Sequence, residues 1–315
     1  MSRVHGSVSA LIACALLLAC REQSDQIVVG LQADRFAGAE WSAPVNLGPV
    51  VNSTGVDANA FLSQNEHEMY FVSNRTGGLG LQDIWLTRRQ CLTCDWEVPI
   101  HLDAPINSDG ADVAPTLSDD GKLLLFSSSR TGGFGSGDIY VSHRLSGDEW
   151  SDPVNLGADV NTAGNEQGGY YVKLIGDGVA SLFFNRPGPF GNADIYQVYL
   201  SGDGMPLGPA VLVPELSDPA GGEQKVAVRT DGHELFLSAQ RADGFGSFDL
   251  YVYTRQSAND TWGVPLHLDA PINTANIDAQ PTLSRDGRTL IFASIREGGF
   301  GQQDLWMSER APGGN

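Results

Sequence analysis

The segment Asp112-Val113-Ala114-Pro115-Thr116-Leu117-Ser118-Asp119-Asp120-Gly121 is followed by Leu125-Phe126-Ser127-Ser128-Ser129-Arg130, then Gly132-Gly133-Phe134-Gly135, then Asp138-Ile139-Tyr140-Val141. This series is written five times along the chain. Its arginine returns as Arg75, Arg130, Arg186, Arg241 and Arg296, at steps of 55, 56, 55 and 55 residues. Its aspartate returns at the same steps as Asp83, Asp138, Asp194, Asp249 and Asp304. A unit of this length, with short apolar runs between turn residues, cannot bury its face alone. Closed into a ring it can, and this pattern is the signature of propeller blades. The expected fold is all-β: a five-bladed β-propeller with four-stranded blades.

Within a unit, residues 114–118 lead into Asp119-Asp120-Gly121, whose Asp-Gly pair suits the positive-φ positions of a tight hairpin. Lys122 to Ser128 returns, the glycine-rich turn leads into a third strand at Asp138, and a fourth starts at Trp150. Branched and aromatic residues at alternate positions favour strand over helix. The tryptophan recurs at Trp41, Trp96, Trp150 and Trp262, with a degenerate copy in 205–212. One tryptophan strand therefore precedes the first three-strand set, and none follows the last. Residues 41–47 are expected to complete the fifth blade, leaving no open sheet edge at the seam. The propeller then occupies 41–310, with a short tail at 311–315.

With 38 acidic against 19 basic residues, the formal charge is −19 and is spread along the chain. Nucleic acid is excluded as a partner, because its binding needs clustered Lys and Arg. At the N-terminus, Arg3 precedes an apolar run from Val8 to Ala19 that is too short to span a bilayer. Residues 1–20 read as a secretory signal ending in Leu17-Leu18-Ala19-Cys20, which resembles a bacterial lipobox. Cys20 would be lipidated and 21–40 would form a tether. The expected location is periplasmic or cell-surface, on the outer membrane, with a lipid anchor as the only membrane contact and the chain monomeric. Cys91 and Cys94 lie between the third and fourth strands of blade one; without further soft ligands they read as a small structural disulfide.

The repeat Asp-x-x-Pro-x-Leu-Ser-x-Asp-Gly, Phe-x-Ser-x-Arg, Gly-Gly-Phe-Gly, Asp-Ile-Tyr resembles the WD-like propeller repeats of TolB-type envelope proteins, and especially those fused to OmpA-like domains. The likeness covers nearly all of 41–310 and implies an envelope propeller that binds protein or ligand. It departs from the TolB pattern in having five units rather than six.

What all five blades share is expected to be architecture, so the Arg and Asp series should tie strands and fix the glycine-rich turn. The tryptophans are expected as pegs between blades. Another series opens each innermost strand: Asp57, Asp112, Glu166, Glu223 and Asp278. Two readings stand. Each carboxylate caps its own turn, or the five face a shared cation or ligand at the channel mouth, with Ca2+ the natural ion for hard oxygen ligands. Blades three and four depart most, and Tyr170, Gln224 and Lys225 are expected on one side of the same mouth. The leading expectation is a binding module for an envelope protein or glycan, using these eight residues. The first alternative is a carbohydrate-active enzyme, a glycoside hydrolase or lyase. Five-bladed hydrolases of the arabinanase type carry Asp, Asp and Glu on their first three inner strands, and Asp57, Asp112 and Glu166 fall in that order. The second alternative is a passive scaffold.

Overall fold

The computed structural model describes residues 40–174, 179–190 and 193–311. The expected signal peptide, Cys20, almost all of the tether and the end of the tail lie outside them. Five antiparallel sheets account for the described strands, and their innermost strands pack side by side in a closed ring round a central channel. Blade one runs, from the channel outward, through Asp57–Leu62, Glu68–Ser73, Asp83–Arg88 and Ile100–His101. Blade two repeats this with Asp112–Leu117, Leu123–Ser128, Asp138–Ser146 and Val154–Asn155. Blade three has Gln167–Lys173, Ala180–Arg186, Asp194–Leu200 and Val211–Leu212, and blade four Gly222–Val228, Glu234–Gln240, Asp249–Thr254 and Leu266–His267. Blade five takes Asp278–Leu283, Thr289–Ser294 and Asp304–Glu309 from the end of the chain and Val45–Asn46 from its beginning.

The seam is therefore closed as expected: Val45 pairs with Met307 and Asn46 with Trp306, and Trp41 bridges Arg310. The outermost strands are shorter than the tryptophan strands read from sequence. Each pairs over two residues, and Pro44, Pro99, Pro153 and Pro265 stand just before four of them. A proline has no N–H to give the ladder, so pairing starts after it.

Register sets up the functional end of the molecule. Asp57 lies opposite Ser73, which lies opposite Asp83, and the rows Asp112-Ser128-Asp138 and Asp278-Ser294-Asp304 match it. The repeat carboxylates and the glycine-rich turns thus share one end of each blade. Just inside that end every inner strand shifts register, between Ala58 and Phe61 in blade one and at equivalent places elsewhere. Asn59, Ala114, Gly168 and Gln280 sit there at positive φ. These bulges turn side chains toward the channel axis.

The blades pack through apolar middle strands, with Phe71, Phe126, Phe184, Phe236 and Phe292 buried. Trp41 of blade five meets Phe236 of blade four edge-on, with centroids 5.8 Å apart, as a peg between blades should. A further series pins these tryptophans from outside: Arg89 over Trp96, Arg144 over Trp150, Arg255 over Trp262 and Arg310 over Trp41, at 3.9–4.8 Å. Blade three has Leu200 where the others have this arginine, and Pro206 where they have the tryptophan. Cys91 and Cys94 form a disulfide.

Candidate functional site

In three blades the ring carboxylates are fully engaged. Asp57 accepts from the Ser53 amide and hydroxyl and from Arg75 at 2.6 Å. Asp112 accepts from the Ser108 amide and hydroxyl, from Ser128 at 2.5 Å and from Arg130 at 2.8 Å. Asp278 has the same four partners in Thr274, Ser294 and Arg296. The arginine also donates to the incoming loop, at Val51 O, Ile106 O and Ile272 O, so that one guanidinium joins strand, carboxylate and connection. All three carboxylates are 0% exposed. Such a buried, charge-balanced and hydrogen-bonded group is an architectural clamp. Glu166 is equally buried and accepts from the Thr162 amide and hydroxyl, while Arg186 donates to Val160 O.

The second Asp series fixes the glycine-rich turns. Asp83, Asp138, Asp249 and Asp304 each accept two turn amides, and each has a polar partner on the outermost strand: His101, Asn155, His267 and Asn46. The two histidines are therefore part of the clamp.

Blade four breaks this pattern. Asp218 takes the place of Ser53, Ser108, Thr162 and Thr274: its amide donates to Glu223 and its carboxylate accepts the Ala220 amide, so the backbone donor is kept but the hydroxyl donor is lost to a second carboxylate. Ala239 replaces the opposing serine, and Arg241 stays 3.7 Å from Glu223. Glu223 keeps one backbone bond, from the Asp218 amide at 3.0 Å, and its Oε2 has no partner. On the neighbouring third strand of blade three, Leu212 occupies the place of the clamp His or Asn, and Asp194 Oδ1 is left without a partner. Burial, with the nearby Asp194 and Asp218 carboxylates assisting, outweighs Arg241 and pushes the Glu223 carboxyl up to about 8. The substitutions at Asp218, Ala239 and Leu212 thus gather Glu223, the buried Asp194 carboxylate and Arg241 at one blade junction. The sequence carried the signal, at Asp218, Ala239 and Leu212, but the roles of the residues they replace become visible only in the sheet.

Beside this junction the channel opens into a cavity of about 80 Å3, lined by Asn59, Gln167, Asn185, Gln224, Lys225 and Gln280. Lys225 is 0% exposed and reaches across the channel from blade four to donate to Ala60 O of blade one at 2.9 Å. It thereby floors the cavity. Burial lowers its ammonium to about 7. Asn185 Oδ1, Gln224 Oε1 and Gln280 Oε1 are buried without partners.

Two expectations are corrected here. Tyr170 does not join Gln224 and Lys225: it lies beyond the bulge, edge-on to Phe61 at 5.6 Å, lining a separate cavity at the other end of the inner strands with Asp119 and Arg285. Nor do Asp57, Asp112, Glu166, Glu223 and Asp278 gather round a cation. Among the described residues no three His, Cys, Asp or Glu side chains stand where they could share a metal ion. Each of the five is held within its own blade instead.

No protein-family model matches the chain, and no curated protein matches it by sequence. Solved structures do share its fold. An α-L-arabinofuranosidase from Lactobacillus brevis aligns at a TM-score of 0.57 and 14% identity, over 84% of this chain and 94% of that one. The catalytic domain of a Coprinopsis cinerea GH62 α-L-arabinofuranosidase aligns at 0.57 and 13%, over 87% and 98%. An exo-1,5-α-L-arabinanase from a bovine ruminal metagenomic library aligns at 0.54 and 15%, over 81% and 94%. TolB from Acinetobacter baumannii aligns at 0.48 and 17%, over 83% and 56%, a score too low to separate kinship from a common shape. The likeness establishes the five-bladed propeller. It also overturns the leading expectation of a binding module: the structures that share the fold are mostly glycoside hydrolases, and four of the five ring carboxylates meant to grip a partner are taken up by their own turns.

Proposed function

We propose that this chain is a carbohydrate-active enzyme of the glycoside hydrolase class, working at the carboxylate end of the channel with Glu223 as general acid. The observation that carries the reading is the release of Glu223 from the clamp that holds Asp57, Asp112 and Asp278. A carboxyl kept protonated near neutral pH is what protonation of a glycosidic oxygen needs. Asp218, on the turn leading into Glu223 and 4.0 Å from Arg241, is partly open to solvent and is the candidate base that takes a proton from water. This assignment differs from the arabinanase order, because Asp57 and Asp112 are fixed by guanidinium and hydroxyl groups and Glu166 by its turn. With Cys20 lipidated, the enzyme would act on glycan close to the envelope.

The test incubates the full chain with arabinan, arabinoxylan, xyloglucan and envelope glycans and follows product by mass spectrometry. Release that is lost in Glu223→Gln and falls as pH rises past about 8 supports the reading. Release that survives Glu223→Gln but is lost in Glu166→Gln moves the acid to the arabinanase position. No release from any substrate sinks the enzyme.

A further inference from the structure

The cavity floored by Lys225 has no place in the acid and base chemistry just described, yet it has the character of a built site. Asn185 is 9% exposed and its buried Oδ1 has no hydrogen-bond partner, and Gln224 and Gln280 present further partnerless oxygens from blades four and five. Burying such groups dry costs about 1–3 kcal/mol each, so something must bond to them. The shape of the wall is specified too. Gly168 at φ +67° lies so close to blade four that a Cβ there would stand 2.3 Å from Gln224 O. Asn185 Nδ2 is already committed to Glu223 O at 2.7 Å, which fixes its amide orientation and leaves the oxygen free. Lys225 has one acceptor, Ala60 O, for three N–H donors.

The chemistry of the occupant follows by elimination. A metal cation would meet the amide oxygens but also an ammonium. An anion would meet the ammonium but also the carbonyl oxygens, of which that of Asn185 is fixed in place. A group of neighbouring hydroxyls satisfies both, because each donates to an amide oxygen and accepts from Lys225. The volume of about 80 Å3 holds about six waters, far below the usual drug-sized pocket, so it takes one sugar unit or its edge and not a chain.

We infer that the Lys225 cavity is a recognition site for the vicinal hydroxyls of a single neutral, terminal sugar unit. Lys225, Asn185, Gln224 and Gln280 are its contacts, and water fills it when no sugar is bound. The inference deepens the hydrolase reading, on which it rests for the choice of a glycan over a free polyol. The site makes hydrolysis act from chain ends, since the floor closes the channel and a through-running polymer has no exit there.

The experiment is calorimetric titration of the full-length Glu223→Gln chain with L-arabinose, D-xylose, D-galacturonate and calcium chloride. A neutral pentose is expected to bind, the uronate at least tenfold more weakly, and calcium not at all. Lys225→Met and Gln224→Leu should each weaken the pentose at least tenfold at unchanged melting cooperativity. If one of these two variants fails to fold, the other decides. Tighter binding of galacturonate or calcium, no pentose binding, or pentose binding that both variants leave intact overturns the inference. The two readings fail separately: pentose binding without glycan release by the unaltered chain keeps the cavity and sinks the hydrolase. Release without cavity binding does the reverse.

Discussion

A carboxyl that loses its hydroxyl donors and its close arginine partner while staying buried must either change its charge or destabilise the fold. Glu223 is in that position, and the consequence for stability has a definite sign. Its value in the folded chain, about 8, lies above the ordinary 4.5, so the folded chain keeps a proton that the unfolded chain has given up. This contribution is fully present below pH about 4.5 and is lost as pH rises through about 8. Glu223→Gln has no proton to lose. It should melt above the parent at pH about 8.5, and the gap should close toward pH about 5. A gap that stays constant between those pH values would show that Glu223 is an ordinary carboxylate. None of this was legible from the ring series itself, in which Glu223 looks like one of five equals. It was written in Ala239, whose position gains a role only through the row Ser73, Ser128 and Ser294, and in Asp218, which stands at the place of Ser53, Ser108 and Thr274.

At the scale of the blade, period-two reasoning placed the strands and the hairpins but failed at the bulge. Strict alternation along residues 166–170 puts Glu166 and Tyr170 on one face, whereas the register shift between Gln167 and Tyr170 separates them. Ala114 at φ 52° shows why this was hidden, for nothing in an alanine announces a left-handed backbone. The stacked arginines Arg89, Arg144, Arg255 and Arg310 recur at the repeat spacing, six residues after each repeat aspartate and so outside the Asp-Ile-Tyr motif. Blade identity also predicts unequal clamps. Arg130→Met strands the Asp112 charge in a site with 0% exposure and should cost about 4 kcal/mol in urea unfolding. Arg186→Met strands mainly the Val160 carbonyl and should cost about 2 kcal/mol. Equal losses would mean that the ion pairs in blades one, two and five add nothing over a backbone bond.

For the molecule as a whole, the repeat count fixed the number of blades and the position of Trp41 fixed how they close, because a strand with no blade of its own must complete another. The seam has more than the two paired residues to hold it. Ser42 N donates to Glu309 O at 2.7 Å, Leu47 N to Leu305 O at 3.1 Å, and Asn52 brackets Leu305 through both its amide groups. Asn46 completes the clamp on Asp304 at 2.8 Å. Farther out, Arg310 stacks on Trp41 and forms a buried two-bond pair with Glu234 of blade four, so the last strand is tied to two neighbours. Removing residues 40–48 takes away the outer strand, the Trp41 peg and the Asp304 partner together. It bares the edge of Asp304–Glu309, and an unpaired edge carrying Trp306 is a template for another chain. The shortened protein should therefore aggregate or melt far below the parent. Adding back a peptide of residues 40–48 in excess should recover part of the loss, since a ligand of the folded state alone raises its stability by mass action. A truncated monomer that melts where the parent does would mean that the ring is held by its inner strands and that the seam is only a place where the chain ends meet.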